Sequence, residues 1–156
     1  MNASSRASAY VAIGANLGDA RAAVLQAMDA LDALPHTRVS ARSALYRSAP
    51  VDAAGPDFIN AVVALDTALG PEDLLAALQR LEQAAGRERP YRHAPRTLDL
   101  DLLCHGDTVM NTPGLTLPHP RMGERAFVLR PLAEIAPARV TPMQLARVAD
   151  QPIERL

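Results

Sequence analysis

The chain has 156 residues, the size of one ordinary domain, and its 49% hydrophobic and 21% charged residues exclude a disordered tract and leave one compact domain over 1–156 as the expectation. Its 16 basic residues are balanced by 17 acidic ones, and a net charge of -1 argues against a module that wraps nucleic acid by neutralising phosphates. A lone Cys104 excludes an internal disulfide, the polar start lacks a secretory core, and no apolar run approaches the roughly 20 residues of a membrane span, so a cytoplasmic protein is expected, with a monomer as the default.

Ala9–Ile13 is a short apolar run ended by Gly14 and Gly18, which reads as a strand and turn. Asp19 suits the cap of a following helix, in which Val24, Leu25, Met28, Leu31 and Leu34 recur at helical spacing until Pro35. Val39–Ser48 reads as a second strand. Ala49–Pro50 and Gly55–Pro56 bound a loop of about ten residues, long enough to suggest function. Phe58–Leu69 reads as a third strand. Pro71, Glu72 and Asp73 then suit the start of a helix whose stripe is Leu74, Leu75, Leu78 and Leu81 and whose stop is Gly86. An arginine-rich loop over 87–96 precedes a fourth strand, Thr97–Leu103, and a short helix over Glu124–Leu132 follows. The order β-α-β-β-α-β implies an α+β, ferredoxin-like two-layer sandwich with C-terminal additions, among them a small helix opened by Thr141 and Pro142.

Thr97–Leu102 alternates strictly, so Leu98, Leu100 and Leu102 face one way and Asp99 and Asp101 the other. The carboxylates then lie roughly 7 Å apart at the backbone. They form either the solvated face of an amphipathic strand or a magnesium site, since magnesium takes one or two carboxylates together with water and substrate phosphates. Directly upstream, Arg87, Arg89, Arg92 and Arg96 crowd into a single loop. Every basic residue of the chain is Arg, for which coding bias is the plain explanation, but guanidinium forks also match phosphate oxygens. Carboxylates and arginines side by side are what transfer from a nucleoside triphosphate requires. His119, fixed between Pro118 and Pro120 with Arg121 and Arg125 close behind, is either structural or a phosphate contact. Phe58 and Phe127, the two phenylalanines, are either core residues or a sandwich for a flat heterocycle whose edge Asn60 would read. There is no Walker phosphate loop, and Gly14–Gly18 does not match the dinucleotide fingerprint.

Ala12–Asp19, Leu45–Ser48, Asp57–Ala61, Pro95–Asp101, Leu117–Met122 and Arg125–Leu132, taken in that order, resemble one family, the 6-hydroxymethyl-7,8-dihydropterin pyrophosphokinases of folate biosynthesis. The resemblance implies transfer of the β,γ-pyrophosphate of ATP to the hydroxymethyl group of a dihydropterin, leaving AMP. It implies that Asp99 and Asp101 hold two magnesium ions and that Arg87 and Arg96 act on the transferring phosphates, assisted by Arg89 and Arg92. Gln79, Glu82, Leu102, Thr116, His119 and Arg125 fall at ATP-side positions. Ser48, Ala49, Val51, Phe58, Asn60 and Phe127 fall at pterin-side positions, and His93 stands where some relatives have Trp. Gly114 replaces an ATP-contacting Arg of some relatives, and Ala49 a frequent Pro.

Overall fold

The chain is described by a computed structural model over residues 6–50, 55–85 and 98–156. β1 spans Ala7–Ala15 and carries Ala9, Val11, Ile13 and Ala15 on one face and Ala12 on the other. Gly14 therefore lies inside the strand instead of ending it; Gly18, at φ +58°, makes the turn. α1 follows over Ala20–Asp32, capped by the Asp19 carboxylate, which accepts the Ala22 N–H at 3.0 Å. Its buried stripe is Val24, Ala27, Met28 and Leu31. Leu25, expected in that stripe, is 45% exposed, because one residue is about 100° of helical turn away from Val24.

The single strand expected over Val39–Ser48 is two: β2, Thr37–Arg42, and β3, Tyr46–Ser48, both antiparallel to β4, Phe58–Thr67. The break follows from two side-chain hydrogen bonds. The Ser43 hydroxyl accepts the Val62 N–H at 2.9 Å, and the Ala44 N–H turns out of the ladder to the Glu134 carboxylate at 3.0 Å. α2 spans Pro71–Ala84 and buries Leu74, Ala77, Leu78 and Glu82; its C-cap is Ala85, and the expected stop Gly86 lies outside the described residues. β5 covers Asp99–His105, shifted toward the C-terminus from the expected span. A small hairpin of β6, Met110–Asn111, and β7, Thr116–Leu117, was not foreseen. A 3₁₀ turn, Met122–Glu124, leads into α3, Ala126–Ile135. α4, Pro142–Arg147, opens on a Thr141–Gln144 capping box, and β8, Ile153–Arg155, ends the fold.

The main sheet runs β5-β1-β4-β3-β8, with β2 also on β4, and every pairing is antiparallel. This is the ferredoxin-like arrangement. α1 and α2 cover one face over a core that includes Leu31, Leu65, Leu74 and Leu78, each fully buried and contributing about 1.5–3 kcal/mol. The C-terminal additions cover part of the other face, where α3 sets Val128, Leu129 and Leu132 against Ala12, Val62 and Leu103. What α3 leaves open on that second face becomes the site.

Candidate active site

Three strands bring their second-face residues into line. Register places Asn60 of β4 opposite Gly14 of β1, and Gly14 opposite Asp99 of β5, so the three form one cross-strand row. In the same way Ala12 stands opposite Asp101. A Cβ on Gly14 would lie 3.3 Å from Asn60 Oδ1 and 3.8 Å from Phe58 Cδ1, so the absence of a side chain there lets the row close. Asn60 is buried, and its Nδ2 donates to Ser48 Oγ at 2.7 Å, which turns its carbonyl oxygen toward Gly14. These residues line a cavity of about 820 Å³ together with Ala49, Phe58, Asp101, Arg125 and Phe127. The Arg125 guanidinium sits 5.5 Å from the centre of the Phe127 ring, a cation–π contact at the start of α3.

A smaller cavity of about 280 Å³ lies next to it, lined by Leu75, Leu102, Gly114, Thr116 and His119. Asp101 lines both cavities. A β-bulge follows two residues later in β5. Val11 pairs with Leu102 and Tyr10 with Cys104, which leaves Leu103 out of register, and its carbonyl accepts the His119 N–H at 2.8 Å. That bond fastens the Leu117–Pro120 segment beside β5. His119 Nδ1 accepts the Arg121 N–H at 3.1 Å, which assigns the proton of the neutral ring to Nε2. Burial pushes the imidazole below its ordinary value of 6.5; Asp101 opposes the shift, while Arg125 and Arg121 add to it.

The remaining expected residues fall elsewhere. Glu82 is buried, and its carboxylate accepts the Leu100 N–H at 2.8 Å, so it holds the strand between the two aspartates. Gln79 is exposed on α2 and lines neither cavity. Val51, Arg87, Arg89, Arg92, His93 and Arg96 lie outside the described residues. Sequence reasoning missed Gly14, Glu124, Gln151 and Pro152 as cavity residues. Gly14 carries a signal, a glycine directly after an apolar run, but by itself that pattern reads as a turn. Gln151 had none, since nothing local ties a C-terminal glutamine to strands a hundred residues earlier.

Among the described residues no group of three or more His, Cys, Asp or Glu side chains gathers as a metal site. Asp99 and Asp101, the residues expected to hold a metal, both line the larger cavity. Two carboxylates beside open cavities suit magnesium, which completes its shell with water and phosphate oxygens, and do not suit a metal that needs an all-protein cage.

Fold and site define an α+β protein of ferredoxin-like type with adjoining cavities that share Asp101. The family model of 7,8-dihydro-6-hydroxymethylpterin-pyrophosphokinase (HPPK) matches residues 10–137, and the chain belongs to this family, as its motifs suggest. It is 48% identical over 154 residues to the 2-amino-4-hydroxy-6-hydroxymethyldihydropteridine pyrophosphokinase of Pseudomonas aeruginosa, with 94% of this chain and 95% of that protein covered. It is 44% identical over 142 residues to the enzyme of the same name from Methylorubrum extorquens, with 90% of each covered. Among solved structures, Plasmodium falciparum HPPK-DHPS with pteroate matches with a TM-score of 0.66 at 12% identity. That match covers 83% of this chain and 39% of the longer one, and it shows the shared fold.

Proposed function

We propose that this chain is an ATP- and magnesium-dependent pyrophosphokinase, a single catalytic domain that transfers the β,γ-pyrophosphate of ATP to the hydroxymethyl group of 6-hydroxymethyl-7,8-dihydropterin in folate biosynthesis. The observation that carries this reading is Asp101, which lines both cavities, with Asp99 two residues away on the same face. A transfer between two substrates needs its charge-stabilising groups where the two sites meet.

The larger cavity takes the pterin. Asn60 and Ser48 offer hydrogen bonds to the edge of the bicycle, and Phe58 and Phe127 offer it apolar faces. The smaller cavity takes part of ATP, with His119 donating from Nε2 and Thr116 beside it. Asp99 and Asp101 would hold magnesium, two ions by analogy with the family, and the metal supplies charge neutralisation on the phosphates. The hydroxymethyl oxygen bonds to the β-phosphorus, the bond from that phosphorus to the α-phosphate oxygen breaks, AMP leaves and the hydroxyl proton passes to solvent. The chain's own residues mainly position and stabilise charge: Arg125 from the N-cap of α3 and, through the resemblance, Arg87, Arg89, Arg92 and Arg96.

The test is AMP release from ATP and magnesium with and without the hydroxymethyl dihydropterin. Release that depends on the pterin and yields its diphosphate is expected. Release at the same rate without pterin would instead mark a metal-dependent phosphohydrolase.

A further inference from the structure

Gln151 lies beyond the residues 10–137 that the family model matches, yet with Pro152 it lines the larger cavity. Its side-chain amide straddles Arg125. Oε1 accepts the Ala126 N–H at 2.8 Å, and Nε2 donates to the Glu124 carbonyl at 2.8 Å. Ala126 is the first residue of α3, so its N–H is one of the donors that a helix start leaves without an intrahelical partner, and Arg125 gives the helix no side-chain cap. One amide therefore fixes the backbone on both flanks of Arg125 and immediately before Phe127.

The segment that carries Gln151 is itself tied to the opposite wall. β8 pairs Ile153 with Ser48 and Arg155 with Tyr46, and the Leu156 N–H donates to the Leu45 carbonyl at 2.9 Å. The Arg47 guanidinium adds a 2.7 Å ion pair with Glu154. Residues 151–156 thus join two walls of one cavity: Ser48 on β3, and Arg125 with Phe127 at the start of α3. The smaller cavity contains no residue of this segment.

We propose that Gln151 is a positioning residue for the pterin, holding the α3 wall at the separation from β3 that a flat bicycle requires. This rests on the functional reading above. A cap with only a structural role would change the melting temperature and leave both Michaelis constants alone, whereas a positioning role separates them.

The experiment is steady-state AMP release by wild type and Gln151→Ala, each substrate varied in turn, with thermal melts of both proteins. The expected result is a rise of about fivefold or more in KM for the hydroxymethyl dihydropterin with KM for ATP within about twofold. If Gln151→Ala melts below the assay temperature, Gln151→Glu, which keeps the acceptor for Ala126 and loses the donor to Glu124, is judged by the same split. A wild type that releases pterin-dependent AMP beside a variant lacking that selective rise overturns the inference alone. A wild type that releases none overturns the functional reading and the inference with it.

Discussion

The backbone N–H of Leu100 donates to the buried Glu82 carboxylate at 2.8 Å, midway between Asp99 and Asp101. Among the described residues β5 is an edge strand, and an edge needs partners for its outward groups. α2 supplies one from its last turn. Glu82→Ala is expected to cost about 1–3 kcal/mol by leaving that N–H without its acceptor. The melting temperature should fall by several degrees, and a magnesium titration should show a higher concentration for half-maximal turnover. Glu82→Gln keeps an acceptor and should lose less. An unchanged melt for the alanine variant would count against the bracing role.

Asp101→Asn preserves shape and removes charge where the cavities meet. With Asp101 in its proposed role at magnesium, the change should lower pterin-dependent AMP release by about a hundredfold or more. Thermal melts should stay within a few degrees of wild type. Turnover within about tenfold at saturating magnesium would remove Asp101 from the metal site.

Gly14→Ala would set a Cβ 3.3 Å from Asn60 Oδ1 and 3.8 Å from Phe58 Cδ1. The first contact is tighter than ordinary packing, so Asn60 must yield by a few tenths of an ångström and strain its 2.7 Å bond to Ser48. KM for the pterin should rise about three- to tenfold, a small overpacking penalty, with KM for ATP little changed. Equal rises for both substrates would contradict the assignment of this cavity.

Tyr46 donates its hydroxyl to Glu134 at 2.8 Å, and burial, then this bond, pushes its phenol up from 10.0 to about 12. The unfolded chain ionises this group near 10, so the stability it carries is complete below that pH and is lost as pH rises through about 12. The chain has no lysine to mask the effect. Denaturant melts between pH 9 and 12 should show stability falling in wild type, with a shallower fall in Tyr46→Phe, itself about 1 kcal/mol less stable at neutral pH. Parallel slopes would show that Tyr46 does not set the alkaline limit.

Much of the fold was legible because local rules decided it. The Asp19 and Thr141 caps, the Pro71 helix start and the alternation of Leu98, Asp99, Leu100 and Asp101 are settled by residues within one or two turns of each other. The break between β2 and β3 was not legible, because it depends on Glu134, ninety residues from Ala44. β8 was missed for a related reason: Ile153–Arg155 has no strand signature of its own and exists through pairing with β3.

The site divides along the same line. The chemistry available can be read from short windows of sequence, as two aspartates on one strand face, an arginine-rich stretch and a proline-framed histidine, because residue type and period-two alternation are local properties. Packing across the whole chain is what puts Asn60, Gly14 and Asp99 in one row, Asp101 on the border of two cavities and Gln151 across the start of α3. Register between strands, the bulge at Leu103 and the docking of a C-terminal segment on β3 are long-range outcomes of burying one core, and no short window of residues encodes them.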